Sequence, residues 1–158
     1  DIFNDPIKGF GGLGDYTGRR VRETTGFGND AIRRKMHPTL HKAAQTYDRY
    51  VVELSKMSDA LLRKHGKKIS DEQYQQKRVA DLAIDLFVGL CTLSRADALV
   101  RSKDANAESA VAIAEIFTRQ ARRRMSRNVR GIERNEDARL DKLAGTILER
   151  GSYAWDVF

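Results

Sequence analysis

Apolar residues recur every three or four positions after Pro38, and this periodicity limits the fold more than any other feature of the sequence. Steps of three and four residues place side chains on one face of an α-helix. Pro38 suits a first helical turn, where its missing N–H costs no hydrogen bond, and Gly66 suits a C-terminal stop. A helix is therefore predicted over about residues 38–65. Its apolar face comprises Leu40, Ala43, Tyr47, Tyr50, Leu54, Met57 and Leu61.

Three more segments show helical periodicity. They cover about residues 70–101, residues 104 or 106 to 131, and residues 135 or 136 to 150. Ser70 is predicted to cap the N-terminus of the second helix, and the acidic residues after it are predicted to lie in the first turn. That helix is apolar nearly all round its centre, which predicts that it is buried, with Cys91 in the core. No segment alternates at period two, so we predict an all-α fold, an antiparallel four-helix bundle. In the last helix the residues expected to point inward are Leu140, Leu143, Ala144, Ile147 and Leu148.

The first 36 residues differ from the rest, because they hold seven of the twelve glycines. Glycine costs roughly 1 kcal/mol against alanine inside a helix, so residues 1–36 are predicted to form a flexible, basic, Gly-rich N-terminal arm. The bundle is expected over 37–151 and an aromatic tail over 152–158. The start at Asp1, without Met, is expected of an excised fragment.

Positive charge is concentrated in three parts of the chain. Residues 16–36 hold six basic and two acidic side chains, residues 37–68 seven and three, and residues 119–139 eight and three. Such segments attract phosphate, anionic lipid or an acidic protein surface, although a solvated helix face has the same composition. The longest apolar stretch, residues 82–93, is far shorter than the roughly 20 residues that a membrane span needs.

The residues that could carry chemistry form no complete active site. His37 and His41 have helical ligand spacing, but no nearby carboxylate completes a metal site. Asp81 and Asp85 could form an acid/base pair, and salt bridges to neighbouring helices or subunits are the simpler interpretation. Residues 9–14 are Gly-rich but lack the Lys-Ser/Thr signature of a phosphate loop. We therefore predict no catalytic, cofactor-binding or metal-binding residue, and an inactive fragment.

The second helix carries a resemblance to a known family. Residues 65–96, HGKKISDEQYQQKRVADLAIDLFVGLCTLSRA, resemble the C-terminal extension of very-long-chain acyl-CoA dehydrogenases and of acyl-CoA dehydrogenase family member nine. His37-Pro38 and residues 148–151 also fall at matching places, so the similarity spans residues 37–151. The family's ending differs from residues 152–158. Motif positions expected to serve structure and packing are Gln73, Arg78, Asp81, Asp85, Ser94 and Arg95.

The resemblance implies that the parent enzyme binds FAD and oxidises a long acyl-CoA to the trans-2-enoyl-CoA in fatty-acid β-oxidation. Its glutamate base would lie upstream of this chain, which itself would hold no cofactor. The extension would pack on the catalytic core and make the parent a homodimer. The expected location is intracellular: the matrix side of the mitochondrial inner membrane in a eukaryote, or the cytoplasm or membrane of a bacterium.

Residues 5–36 resemble, in position and composition, the family's Gly-rich basic segment that is thought to engage the membrane. An ordinary linker or a protein-binding segment would have the same composition. From another class, a stand-alone basic helical module could bind nucleic acid or an acidic protein through residues 119–139; the family interpretation expects no nucleic acid. The candidate contacts to an anionic membrane are Phe10, Leu13, Arg19, Arg20, Arg22, Phe27, Ile32, Arg33, Arg34 and Lys35.

Overall fold

The computed structural model describes residues 30–153 and contains five α-helices and two 3₁₀ segments there. The α-helices are α1 (Ala31–Lys35), α2 (His41–His65), α3 (Gln73–Arg101), α4 (Ala107–Gly131) and α5 (Asp137–Arg150). The 3₁₀ segments are Pro38–Leu40 and Gly66–Asp71. No strand occurs within residues 30–153. The predicted all-α helical bundle is confirmed.

The packed part of the bundle consists of α2, α3 and α4. The start of α2 lies beside the end of α3, and the start of α3 lies beside the end of α4, so these helices run antiparallel to the next one in the chain. Side chains from all three helices fill the space between them, and each large apolar side chain that is fully buried contributes roughly 1.5–3 kcal/mol. The largest fully buried side chains are Leu40, Tyr47, Leu82, Leu93 and Met125.

A short segment before residue 37 already packs on the bundle. Asp48 of α2 is buried, and its two carboxylate oxygens accept hydrogen bonds from the backbone N–H groups of Ile32 (2.9 Å) and Arg33 (3.0 Å). These are first-turn donors of α1 that have no partner within the helix. The side chains of Ile32 and Met36 pack against the core. Residues 31–36, which precede the predicted start of the bundle at residue 37, therefore pack on α2.

The start of α3 differs from the prediction. Residues Gly66–Asp71 form a 3₁₀ segment, α3 begins at Gln73, and Ser70 makes no cap but donates to the carbonyl of Lys67. The side-chain amide of Gln76 donates to the carbonyls of Ile69 (2.6 Å) and Ser70 (2.9 Å). A side chain from inside the helix thus satisfies the carbonyls that a continuous helix would have paired.

Two predictions of burial were wrong. The centre of α3 is not buried all round, because Ile84, Phe87 and Val88 are 60%, 69% and 39% exposed and Cys91 is exposed as well. Helix α5 has no buried residue, so its apolar side does not point inward. Periodicity identifies an apolar face but not the element that covers it. In the described residues, α2, α3 and α4 form the core, and the exposed apolar sides of α3 and α5 take no part in it.

Candidate functional site

A carboxylate–guanidinium pair joins α3 to α4. Asp85, whose side chain is 11% exposed, accepts from Nη2 of Arg124 at 2.6 Å and from Nε of Arg124 at 3.0 Å. The guanidinium of Arg124 also lies 5.6 Å from the ring centroid of Phe117. The hydrogen bonds to Asp85 raise the pKa of Arg124, so this cation stays charged beside its carboxylate. The pair fixes the register of the two helices.

A second pair holds the start of α5 against α3. Arg78 donates from Nη1 and Nη2 to Asp137 at 2.6 and 2.7 Å, and both side chains are largely buried. The hydrogen bonds from Arg78 lower the pKa of Asp137. Gly131 leaves room for Arg78, because a Cβ atom at position 131 would lie 2.8 Å from Nε of Arg78. This forked contact is the principal polar anchor of α5.

The two aspartates of α3 do not form an acid/base pair. Asp81 accepts from Nζ of Lys77 at 2.6 Å, and Asp85 is held by Arg124. Each carboxylate therefore has its own cation. The salt bridge of Asp85 joins two helices, as the salt-bridge interpretation expected, whereas that of Asp81 lies within α3. The remaining motif residues Gln73, Ser94 and Arg95 are exposed on α3.

One ring nitrogen of each histidine makes a local contact, and Nε2 of His65 is buried without a hydrogen-bond partner among the described residues. Nδ1 of His37 lies 3.0 Å from Oγ1 of Thr39, and Nε2 of His41 lies 3.1 Å from the carbonyl of Met36. Nδ1 of His65 contacts Oε1 of Glu72 at 2.9 Å. Among residues 30–153 no group of three or more His, Cys, Asp or Glu side chains could hold a metal ion.

A band of exposed apolar side chains runs along the outside of α3 and continues onto α4. Ile84, Phe87, Val88 and Cys91 have the spacing of one helical face, and Cys91 lines a shallow apolar groove together with Ile113, which is 60% exposed. We call these five residues the apolar face. Contiguous exposed apolar side chains mark interaction surfaces, whereas isolated ones do not. The sequence shows that the centre of α3 is apolar nearly all round, and this pattern could have predicted an interaction surface instead of burial.

Of the candidate membrane contacts, four lie in the described part of the chain. Ile32 packs against the core, Arg33 and Arg34 bond to Asp30 at 3.1 and 2.9 Å, and Lys35 is exposed. Within residues 30–153 no helix combines the length and apolar content needed to cross a membrane. The candidates outside the described residues are Phe10, Leu13, Arg19, Arg20, Arg22 and Phe27.

Comparison with known proteins gives a consistent family. The family model "ACAD9/ACADV, C-terminal domain" matches residues 38–153. The mitochondrial very long-chain specific acyl-CoA dehydrogenase of Rattus norvegicus is 26% identical over 136 residues, which are 85% of this chain and 21% of the relative. The Mus musculus enzyme is 31% identical over 61% of this chain and 15% of the relative. The Homo sapiens enzyme is 32% identical over 58% of this chain and 14% of the relative. The matched chain thus spans about a fifth or less of these relatives.

Proposed function

Because this chain belongs to the ACAD9/ACADV C-terminal domain family, we propose that it is the non-catalytic C-terminal domain of an FAD-dependent very-long-chain acyl-CoA dehydrogenase. The parent enzyme would act in fatty-acid β-oxidation and would supply the flavin site and the catalytic base from another part of the polypeptide. The relatives' names and the match over residues 38–153 support this proposal.

The apolar face of α3 and α4 is the observation that supports a packing role. Five exposed apolar residues share this surface, and full burial of a large apolar side chain is worth roughly 1.5–3 kcal/mol. The matched relatives are several times longer than this chain, so a catalytic core on the same polypeptide is the occupant that we propose. A bundle seated on the core would occupy space needed by a second dimer, and the parent would be a homodimer.

We also propose that the domain places the parent at an anionic membrane, the mitochondrial inner membrane in a eukaryote. The arm residues Arg19, Arg20 and Arg22 and the basic residues of the bundle support this role through charge, since each basic residue near an anionic surface contributes about 1 kcal/mol.

Alkylation of Cys91 tests the packing role. This thiol is the only one in the chain and it is exposed, so it should react with iodoacetamide or maleimide in the isolated chain at the rate of a free cysteine. In the full-length polypeptide the core should cover the apolar face, and peptide mass spectrometry should show labelling of Cys91 slowed at least about tenfold.

A matched pair of variants provides the control. Phe87→Asp places a charge on the apolar face and should restore fast labelling of Cys91 in the full-length polypeptide. Leu62→Asp places the same charge on an exposed residue of α2, 56% exposed, and should leave labelling slow. Equal labelling rates in the isolated chain and the full-length polypeptide would contradict the packing role.

A further inference from the structure

Four arginines form a row along the outside of α4. Arg119, Arg123, Arg127 and Arg130 follow one another at steps of four, four and three residues, which keeps them on one helical face. All four side chains are exposed. At 1.5 Å per residue the row is about 16 Å long. We call these four residues the arginine row.

Within residues 30–153 no ion pair involves the arginine row. Glu115 lines a groove with Arg119 without pairing to it, and three other neighbouring carboxylates already hold other cations. Arg127 shares one groove with Asp81 and Asp85, and a second groove with Asp137. Asp81 is bound to Lys77, Asp85 to Arg124 and Asp137 to Arg78. The charge of the row therefore remains available for an external anion.

Exposed apolar side chains lie at both ends of the arginine row. Ile116, 49% exposed, precedes Arg119 by three residues and so shares its helical face. Leu140 of α5, 50% exposed, lines a groove with Arg127 and Arg130. Cations combined with exposed aliphatic side chains are the composition of surfaces that bind at a lipid–water interface.

We propose that the arginine row is a docking site for the phosphate groups of an anionic phospholipid bilayer. Arginine binds phosphate through paired N–H donors, and a straight helix presents its row to a flat charged surface. No aromatic side chain is interleaved among the four arginines, so the row lacks the platform on which nucleic-acid bases stack. The inference rests on the membrane role proposed above and adds a surface on α4 to the arm.

Vesicle co-sedimentation of the full chain tests the proposal. At low salt the chain should bind vesicles of phosphatidylcholine with phosphatidylglycerol and should not bind vesicles of phosphatidylcholine alone. The variant R119Q/R123Q/R127Q/R130Q should lose at least about tenfold in partition coefficient, because charge attraction at an anionic surface adds up over the basic residues. A fluorescently labelled DNA duplex is titrated in parallel.

A control variant removes the same charge elsewhere. K56Q/K64Q/K67Q/K68Q changes four exposed lysines of α2 and the segment after it, and its vesicle binding should fall much less. Circular dichroism checks that both variants keep the helical content of the unchanged chain. An arm variant replaces Arg19, Arg20 and Arg22 by Gln, so that the contributions of arm and row are separated.

Four results would overturn the arginine row as a lipid site. Equal losses in the row and control variants would mean that net charge alone governs binding. Release by the arm variant alone would leave the membrane role standing without the row. If the chain stays in solution in the presence of anionic vesicles, neither the arm nor the arginine row binds the membrane. If the row is needed for binding to the duplex and the chain does not bind vesicles, the ligand of the row is nucleic acid and not lipid.

Discussion

The ring of Tyr47 on α2 occupies the space that a side chain at position 89 of α3 would fill. A Cβ atom added to Gly89 would overlap the ring carbons and the hydroxyl of Tyr47. The Tyr47 hydroxyl lies 3.0 Å from Oγ1 of Thr118 on α4, and Thr118 in turn donates to the carbonyl of Ala114 at 2.7 Å. One fully buried ring therefore connects all three packed helices.

Substitution of Gly89 by alanine is expected to destabilise the bundle. Overpacking costs typically about 1–3 kcal/mol, and alanine gains roughly 1 kcal/mol over glycine within a helix. Because the added Cβ overlaps a fully buried ring, we expect a cost in the upper part of that range, so the loss exceeds the gain. The Gly89→Ala variant should therefore have a lower free energy of unfolding, measured by urea titration with circular dichroism.

Gly145→Ala is the matched control for this substitution. Gly145 lies within α5, and a Cβ atom added there would meet no neighbouring atom within 4 Å, so only helix propensity changes. This variant should be as stable as the unchanged chain or up to about 1 kcal/mol more stable. A Gly89→Ala variant that behaves in the same way would show that Tyr47 moves without cost.

The pair Asp85–Arg124 should contribute more to stability than the pair Asp81–Lys77. Asp85 is largely buried, and its replacement by asparagine leaves the guanidinium of Arg124 without its bonded carboxylate, at a cost of about 1–3 kcal/mol. Asp81→Asn removes a pair whose lysine is 72% exposed, and such pairs are worth about 0–1 kcal/mol. Urea unfolding of both variants gives the comparison, and equal losses would contradict it.

Stability should fall at acid pH partly through Asp137. Arg78 lowers the pKa of Asp137 below the usual 3.8, so the folded state favours the charged carboxylate. This contribution is fully present above the unfolded pKa and is lost as the pH falls through the lower, folded pKa. Free energies of unfolding measured from pH 6 to pH 2 should decrease below about pH 4.

Variants of either partner should remove the same part of this acid dependence. Asp137→Asn and Arg78→Met should both make the free energy of unfolding depend less on pH below about pH 4. Each variant removes the hydrogen-bonded pair that lowers the pKa of Asp137 in the folded state. Both should also speed tryptic cleavage after Arg139, since the pair anchors α5. An unchanged acid slope in both variants would assign the loss to other carboxylates.

Phe87 and Leu82 should respond very differently to truncation, although five residues separate them on one apolar helix. Phe87 is 69% exposed, so Phe87→Ser should change the free energy of unfolding of the isolated chain by about 0.5 kcal/mol or less. Leu82 is fully buried, and Leu82→Ala should cost about 2–5 kcal/mol. Thermal unfolding followed by circular dichroism measures both, and a large loss at Phe87 would mean that it is covered within this chain.

The sequence alone determined where the main helices lie. The predicted ranges 38–65 and 135–150 agree closely with His41–His65 and Asp137–Arg150, and the predicted stop near Gly131 is the end of α4. These features depend on side-chain spacing and on glycine and proline, all of which act within a few residues along the chain. The salt-bridge role of Asp85 was also predictable, because a charge on an apolar helix needs a partner.

The tertiary structure decided which apolar faces are covered and that residues 31–36 join the bundle. Packing of α2, α3 and α4 buries Leu82 but leaves Phe87 exposed, and both are equally apolar positions in the sequence. Asp48 accepts hydrogen bonds from the N–H groups of Ile32 and Arg33 but belongs to a different helix. The residues near α1 in the sequence therefore do not predict that α1 packs on α2. Burial depends on which distant segment occupies a face, and a periodic sequence carries no record of that partner.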